Sequence, residues 1–337
     1  MILLGLVPFA ASLLLAFTSR GLARFLSPPA AAFLLTLLAL ATSMATGIVL
    51  CLAAFSELAR LPFVAAVGGW SRTTIRPWDH LPRGWGDVAT AVVAVLLAAA
   101  VLYLGRAARD LLLARQACRA LPADTGGLVI THDDRPTAYT VPARTGAIVI
   151  STGMLRLLSA GERRALLAHE AAHLRHHHAR YVLLAQLAAA ANPLLRPLAR
   201  DVSLAVELWA DQAAVAEVGD RHVVAQALAR SSLAAARQER RPIISLAIAD
   251  TAVQVRVRAL TGRPPRLRAW AALAALTLTV ASGAAAAALT LATHQQIEQA
   301  QLASARATAA HPGPVRIAAA HPGPGHVVFT HPAAARA

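Results

Sequence analysis

His169-Glu170-Ala171-Ala172-His173 reads H-E-x-x-H. On a helix this spacing sets two imidazoles one turn apart on one face, with a carboxylate beside them. Two imidazoles begin a metal site, and the glutamate is a general base placed to take a proton from water. A catalytic zinc takes three protein ligands and keeps one position open, so a third ligand has to come from elsewhere. His176, His177 and His178 follow closely, but on a continuous helix His177 lies about 12 Å along the axis from His169. The trio therefore reads as a basic, solvated face. A pattern in which a glycine breaks the helix and a later histidine returns is excluded, because His176 and Ala179 occupy those positions. Glu207 is the better third ligand. It stands in an otherwise apolar stretch from Val202 to Val218, where a bare carboxylate is costly and a metal removes the cost. Asp211 shares its helical face and is placed to accept the free ring N–H of a liganding histidine. Glu217, Asp220 and His222 are weaker substitutes for Glu207.

The motif needs a helix beneath it. Ser159 and Glu162 form a capping-box pattern that starts one, and Leu166, Leu167, Leu174 and Tyr181 supply apolar positions near helical spacing. Before it, residues 127–131, 138–141 and 147–151 read as short strands, with turns at Asp133-Asp134 and 144–146. Residues 181–195 are uncharged but too short to span a bilayer. They read as a buried helix, with a helix lying in the membrane interface as the alternative. A further helix over 202–218 carries Glu207 and Asp211. Residues 237–241 are polar and basic, a loop or a solvated face.

Composition says where this unit resides. The chain is 57% hydrophobic and 15% charged, with a mean hydropathy of +0.53 and a net charge of +15 supplied entirely by arginine. Soluble domains are less apolar. A basic balance suits nucleic acid or an anionic membrane surface; the apolar runs favour the membrane, and no nucleic-acid partner is expected. Four stretches suit transmembrane helices, at about 1–19, 30–55, 88–105 and 269–293. The first lacks a positive n-region and reads as a retained helix rather than a signal peptide. None of the four contains Asp, Glu, Lys or Arg, which argues against a transporter. Arg106, Arg109, Arg115 and Arg119 after the third span, and Arg256, Arg258, Arg263, Arg266 and Arg268 before the fourth, place 106–268 in the cytoplasm. The arginines of the 57–87 loop dissent and are outvoted. Residues 106–268 have room for one core. The Ala-, His- and Pro-rich tail, 294–337, reads as disordered and external, with weak metal scavenging by His311, His321, His326 and His331 as a minor reading. Cys51 and Cys118 make no disulfide framework, and Cys51 reads as a small packing residue.

With Glu207 and Asp211 completing an E-x-x-x-D element, the chain resembles the membrane-embedded gluzincin peptidases: the antirepressor metalloproteases of the BlaR/MecR type, HtpX-like proteases and CAAX prenyl proteases. Ala138-Tyr139-Thr140-Val141 and the 148–155 segment with Ser151-Thr152-Gly153 look like the lead-in of these enzymes. The span layout looks most like the BlaR/MecR type. The resemblance covers about 106–292 and stops at the tail, where those sensors carry a penicillin-binding domain, so beta-lactam sensing is not supported. It implies a mainly α membrane protein, with four transmembrane helices and a cytoplasmic α+β zincin-like metalloprotease domain between the third and fourth. It further implies one Zn²⁺ per chain on His169, His173 and Glu207, Glu170 as catalytic base and Asp211 behind the ligands. The setting would be a bacterial plasma membrane. The partners would be a protein or peptide substrate and the lipid bilayer, with no small-molecule cofactor. Residues 147–151 are the expected strand edge for substrate. Tyr181, His222 and several arginines stay open as oxyanion donors. Signalling by cleavage of a repressor or of itself, membrane-protein quality control, and a non-catalytic scaffold that retains the fold are the competing roles. The oligomeric state is not legible.

Overall fold

The computed structural model describes residues 2–59, 61–70, 84–119, 127–141, 146–238, 253–260 and 269–310. The fold is mostly helical with one small sheet. In chain order it runs α1 (Ile2–Phe25), α2 (Pro28–Leu58), α3 (Pro62–Gly68), α4 (Trp85–Arg119), β1 (Leu128–Thr131), β2 (Ala138–Val141) and β3 (Ala147–Ser151). Then come α5 (Thr152–Leu157), α6 (Ala160–Arg175), α7 (His178–Ala191), a 3-10 turn at Pro193–Leu195, α8 (Arg196–Val218), α9 (Arg221–Gln238), α10 (253–260) and α11 (Ala269–Ala310).

Four helices, over Leu3–Phe25, Pro28–Phe55, Trp85–Gln116 and Leu273–Arg306, are long and apolar enough to cross a membrane. Their outward faces carry large apolar side chains: Phe17 is 83% exposed, Met44 67% and Val95 66%. Contiguous apolar surface of this kind suits lipid and not water, consistent with a multi-pass membrane protein. The helices outrun the uncharged stretches of the sequence. α4, with 35 residues, is about 52 Å long at ~1.5 Å per residue, against a hydrocarbon core of ~30 Å. Likewise α11 continues to Ala310, through residues the sequence assigns to a disordered tail. The physical reason is local: 294–310 is rich in Ala, Gln and Leu, strong helix formers, and His294 pairs with Glu298 one turn on. The remaining tail, including His311, His321, His326 and His331, lies outside the described residues, as does residues 239–241 of the expected basic loop. Cys51 is exposed on α2 rather than packed.

The uncharged stretch 181–195 forms most of α7 and the 3-10 turn, and it packs against the candidate spans with Ala185, Ala188, Ala189, Asn192 and Leu195 buried and Leu184 exposed. α7 and α8 make a hairpin whose tip, Asn192, is 3% exposed. The Asn192 amide donates to Ser12 Oγ at 2.9 Å and to Thr46 Oγ1 at 3.3 Å, tying the tip to α1 and α2. Ser12 lies about 20 Å in from the Phe25 end of α1, at ~1.5 Å per residue. Leu15, Leu35 and Leu38 of α1 and α2 share one core with Leu195, Leu198, Val202 and Val206. The site's principal helix is therefore packed on the candidate spans. Farther along, Ser19 Oγ donates to Asp201 Oδ2 at 2.6 Å. Ser12–Asn192 and Ser19–Asp201 advance together, so α1 and α8 run in the same direction, and Glu207 comes level with the end of α1.

The sheet has the order β1-β3-β2, with β1 parallel and β2 antiparallel to β3. The strand offered as a substrate edge, Ala147–Ser151, is therefore central; its backbone groups are taken on both sides, and β2 is an edge. Ser151 anchors the loop that delivers β2: its hydroxyl donates to Arg135 O at 2.7 Å, accepts from Thr137 N at 2.9 Å and accepts from Met154 N at 3.1 Å, capping α5. Gly153 N donates to Asp133 O at 2.8 Å. A Cβ on Gly153 would lie 2.1 Å from the Asp134 carbonyl oxygen, so only glycine permits this approach. Gly153→Ala should lower stability by roughly 1–3 kcal/mol through overpacking. An unchanged thermal unfolding midpoint would show that the loop yields freely.

Candidate metal centre

The helix under the motif is built as its sequence asks. Glu162 Oε2 accepts from Ser159 N at 2.8 Å and Ser159 Oγ accepts from Glu162 N at 3.4 Å, a complete capping box. α6 then packs on α8 and α9, burying Ala165 and Ala172. It stops at Arg175, so Tyr181 belongs to α7 and not to the motif helix. The break is at His177, whose φ of 53° makes it the lone non-glycine residue in the left-handed region among the described residues.

His169, His173 and Glu207 converge. One ligand atom from each lies within 4.8 Å of the others. His169 Nε2 is 3.1 Å from His173 Nε2. Glu207 Oε2 is 3.5 Å from His169 Nε2, and Oε1 is 3.7 Å from His173 Nε2. Tetrahedral ligands at ~2.0–2.1 Å from a metal sit roughly 3.3 Å apart, so the donor set and its spacing fit a divalent ion. Glu170 is half-buried in the same cleft. Behind His169, Asp211 Oδ1 is 3.1 Å from Nδ1, which leaves Nε2 free to face the ion.

Two residues complete the cluster in ways the sequence does not announce. Arg256, on α10, donates from Nε to Asp211 Oδ2 at 2.8 Å and from Nη2 to Oδ1 at 2.7 Å, and its Nη1 lies 3.0 Å from Glu207 Oε2. In the sequence it is one of five arginines before the last span, without local distinction. His178 is the second. The sequence places it on a solvated basic face, yet it is 1% exposed, and its Nδ1 lies 3.1 Å from His173 Nδ1. The turn at His177 breaks the helical continuity on which that expectation stood and folds His178 back over His173. Its ring packs on Trp209, centroids 4.7 Å apart. His176 also stacks on Trp209, and of the trio His177 alone is exposed. Asp220 caps α9, accepting from the backbone N–H of His222; neither residue, nor Glu217 or Tyr181, lines the cleft.

The charges follow from burial and pairing. Burial alone would depress His169, but its bonds to Asp211 and Glu207 outweigh that and raise its pKa to about 9. Burial pushes His173 down to about 4 and His178 to about 3, so both are neutral at pH 7. Burial would raise Glu207 and Asp211; His169 and Arg256 reverse this and hold both ionised. For Glu170 burial dominates and raises the pKa above its ordinary value. A cleft of about 380 Å³ opens over His169, Glu170, Glu207, Asp211 and Arg256, walled by β2 with its lead-in (Pro136 to Tyr139) and by Val224, Ala227 and Leu228 of α9.

The family model for peptidase family M48 matches residues 110–192. The match supports the M48 metallopeptidase family. It takes in His169, Glu170, His173 and His178, and ends before Glu207, Asp211 and Arg256. It carries no assignment to the BlaR/MecR type. No curated protein and no solved structure gives a significant match.

Two measurements probe the cluster. A metal needs a neutral imidazole at His169, which holds a proton at pH 7 in the metal-free protein because its pKa is raised to about 9. Metal uptake at pH 7 should therefore release about one proton per ion, and affinity should climb with pH until His169 is deprotonated. Calorimetry in buffers of differing ionisation heat reads this directly, and zero release contradicts it. In addition, ligation through His173 Nε2 puts a proton on Nδ1, which donates to His178. His178→Ala should weaken metal affinity ~10–100-fold, as loss of such a supporting partner does. Competition against a chelator with matched affinities in the two proteins would assign His178 to packing alone.

Proposed function

We propose that the protein is a membrane-embedded zinc endopeptidase in which His169, His173 and Glu207 hold Zn²⁺, Glu170 is the catalytic base and Asp211 orients His169. The observation that carries this reading is the convergence of three ligand atoms at tetrahedral spacing beside a half-buried carboxyl. Zinc, when bound, supplies Lewis acidity that acidifies water and polarises a carbonyl.

The chain's own groups do the rest. Glu170, its pKa raised by burial, is a stronger base than an ordinary carboxylate for taking a proton from water and returning it to the leaving amine. The substrate extends along β2, pairing main chain to main chain at a strand edge. A residue beside the scissile bond rests on Val224, Ala227 and Leu228, which favours an apolar side chain there. Arg256 spends its donors on Asp211 and Glu207, so it fixes the two carboxylates in place; of the proposed oxyanion donors, Tyr181 and His222 stand outside the cleft.

In this reading the catalytic side faces the cytoplasm of a bacterial cell, as the arginine flanks indicate. A protein substrate approaches at the membrane surface, because Glu207 is level with the end of α1. Cleavage of a repressor or of the protease itself, by similarity to the BlaR/MecR layout, is the preferred role, with quality control of membrane proteins the second. Glu170→Gln separates chemistry from structure. It should bind zinc as the wild type does while peptide cleavage falls by at least about a hundredfold, the scale of a lost general base. Undiminished cleavage with full zinc occupancy would remove Glu170 from the mechanism.

A further inference from the structure

A second cavity, of about 500 Å³, lies between the end of α1, the start of α2, α8 and α10. It shares Asp211 with the metal cleft but is otherwise separate from it. Its floor is apolar, with Leu26, Ala31, Leu204, Ala205 and Leu208 among its lining residues. Arg20, Arg24 and Arg221 stand at its rim. Of the acids on its wall, Asp211 is gripped by Arg256 through two bonds, while Asp201 accepts from Ser19 and feels the positive charge of Arg20 and Arg24. Arg221 spends one donor on Leu260 O, so three arginines face one carboxylate that Arg256 does not already pair. The cavity thus offers an apolar interior and a surplus of guanidinium groups.

Its level in the fold narrows the occupant. Arg20 and Arg24 sit in the last turns of a candidate span, where arginines carry their charge out to the headgroup layer. The cavity opens beside the α1–α2 turn, and the large apolar side chains on the outward faces of α1 and α2 suit lipid. A guanidinium pairs bidentately with phosphate, and a net negative lipid gains from the unbalanced arginines where a zwitterionic one does not. We propose that this cavity binds one anionic phospholipid, its acyl chains on Leu204, Ala205 and Leu208 and its phosphate on Arg20, Arg24 and Arg221. The inference stands apart from the peptidase reading, since none of these side chains belongs to the metal centre.

The test uses the full chain purified in detergent and titrated with phosphatidylglycerol or phosphatidylcholine, bound lipid being counted by native mass spectrometry. Wild type should retain one phosphatidylglycerol in preference to phosphatidylcholine. R20Q/R24Q should weaken that retention roughly thirtyfold, the effect of two charges near an anionic headgroup, while R20K/R24K, which keeps the charges but loses the bidentate fork, should weaken it less. Thermal unfolding reports whether each variant folds; should R20Q/R24Q fail, A205W, which fills the floor, should abolish retention. Equal retention of the two lipids, undiminished binding in R20Q/R24Q or A205W, or displacement of the lipid by inorganic phosphate alone would overturn the proposal, the last leaving a simple anion site.

Discussion

The fold depends on neutralising two carboxylates set into one mostly apolar helix. Asp211 has a side chain only 3% exposed, and Glu207, one turn away on the same face of α8, is 37% exposed, so the cost of burial falls chiefly on Asp211. A buried carboxylate without a partner is too costly to survive in its charged form. Here the opposite charge arrives from two directions: His169 from α6, and Arg256 from α10 with a paired grip on Asp211 and a further contact to Glu207. Those contacts set the approach of α6 to α8, and with it the separation of the imidazoles from the third candidate ligand. They also set the protonation states, since the same pairings raise His169 and hold both acids ionised. Structure and reactivity rest on one electrostatic arrangement.

Around it, neutral groups handle position. Asn192, Ser12 and Thr46 satisfy one another within the helix bundle and locate the tip of the α7–α8 hairpin without burying charge. Ser151 and Gly153 lock the loop that brings β2 to the cleft. His178, kept neutral by burial, lies against His173 Nδ1, on the far side of that ring from Glu207. A charged residue at any of these places would add a field to the site; hydrogen bonds and close packing fix the geometry and leave the field to His169, Glu207, Asp211 and Arg256.

Much of the centre was legible because its logic is local. The spacing of His169 and His173 is a helical turn, the Ser159–Glu162 cap marks where that helix begins, and a glutamate stranded among apolar residues asks for a partner. The three strands were legible from β-branched runs between turn residues. What stayed hidden depends on contacts distant in sequence or on one dihedral. His178 reaches His173 because His177 adopts φ 53°, which no pattern of hydrophobicity encodes. Arg256 is chosen from among its neighbours by the packing of α10 on α8. Strand order in space is not strand order in the chain, so β3 lies between its partners. The end of α11 overran expectation because a tail too polar to bury a core is still rich in helix formers.

The shared interior of α1, α2, α7 and α8 has a practical corollary. Leu195, Leu198, Val202 and Val206 are all within 2% of complete burial, and what covers them includes Leu15, Leu35 and Leu38. A truncated gene beginning near residue 106 would strip that cover and present a greasy stripe along the helix that carries Glu207. The part of the chain that carries the candidate metal centre is therefore completed by the candidate spans themselves, and excision would give an aggregating fragment in place of a soluble one.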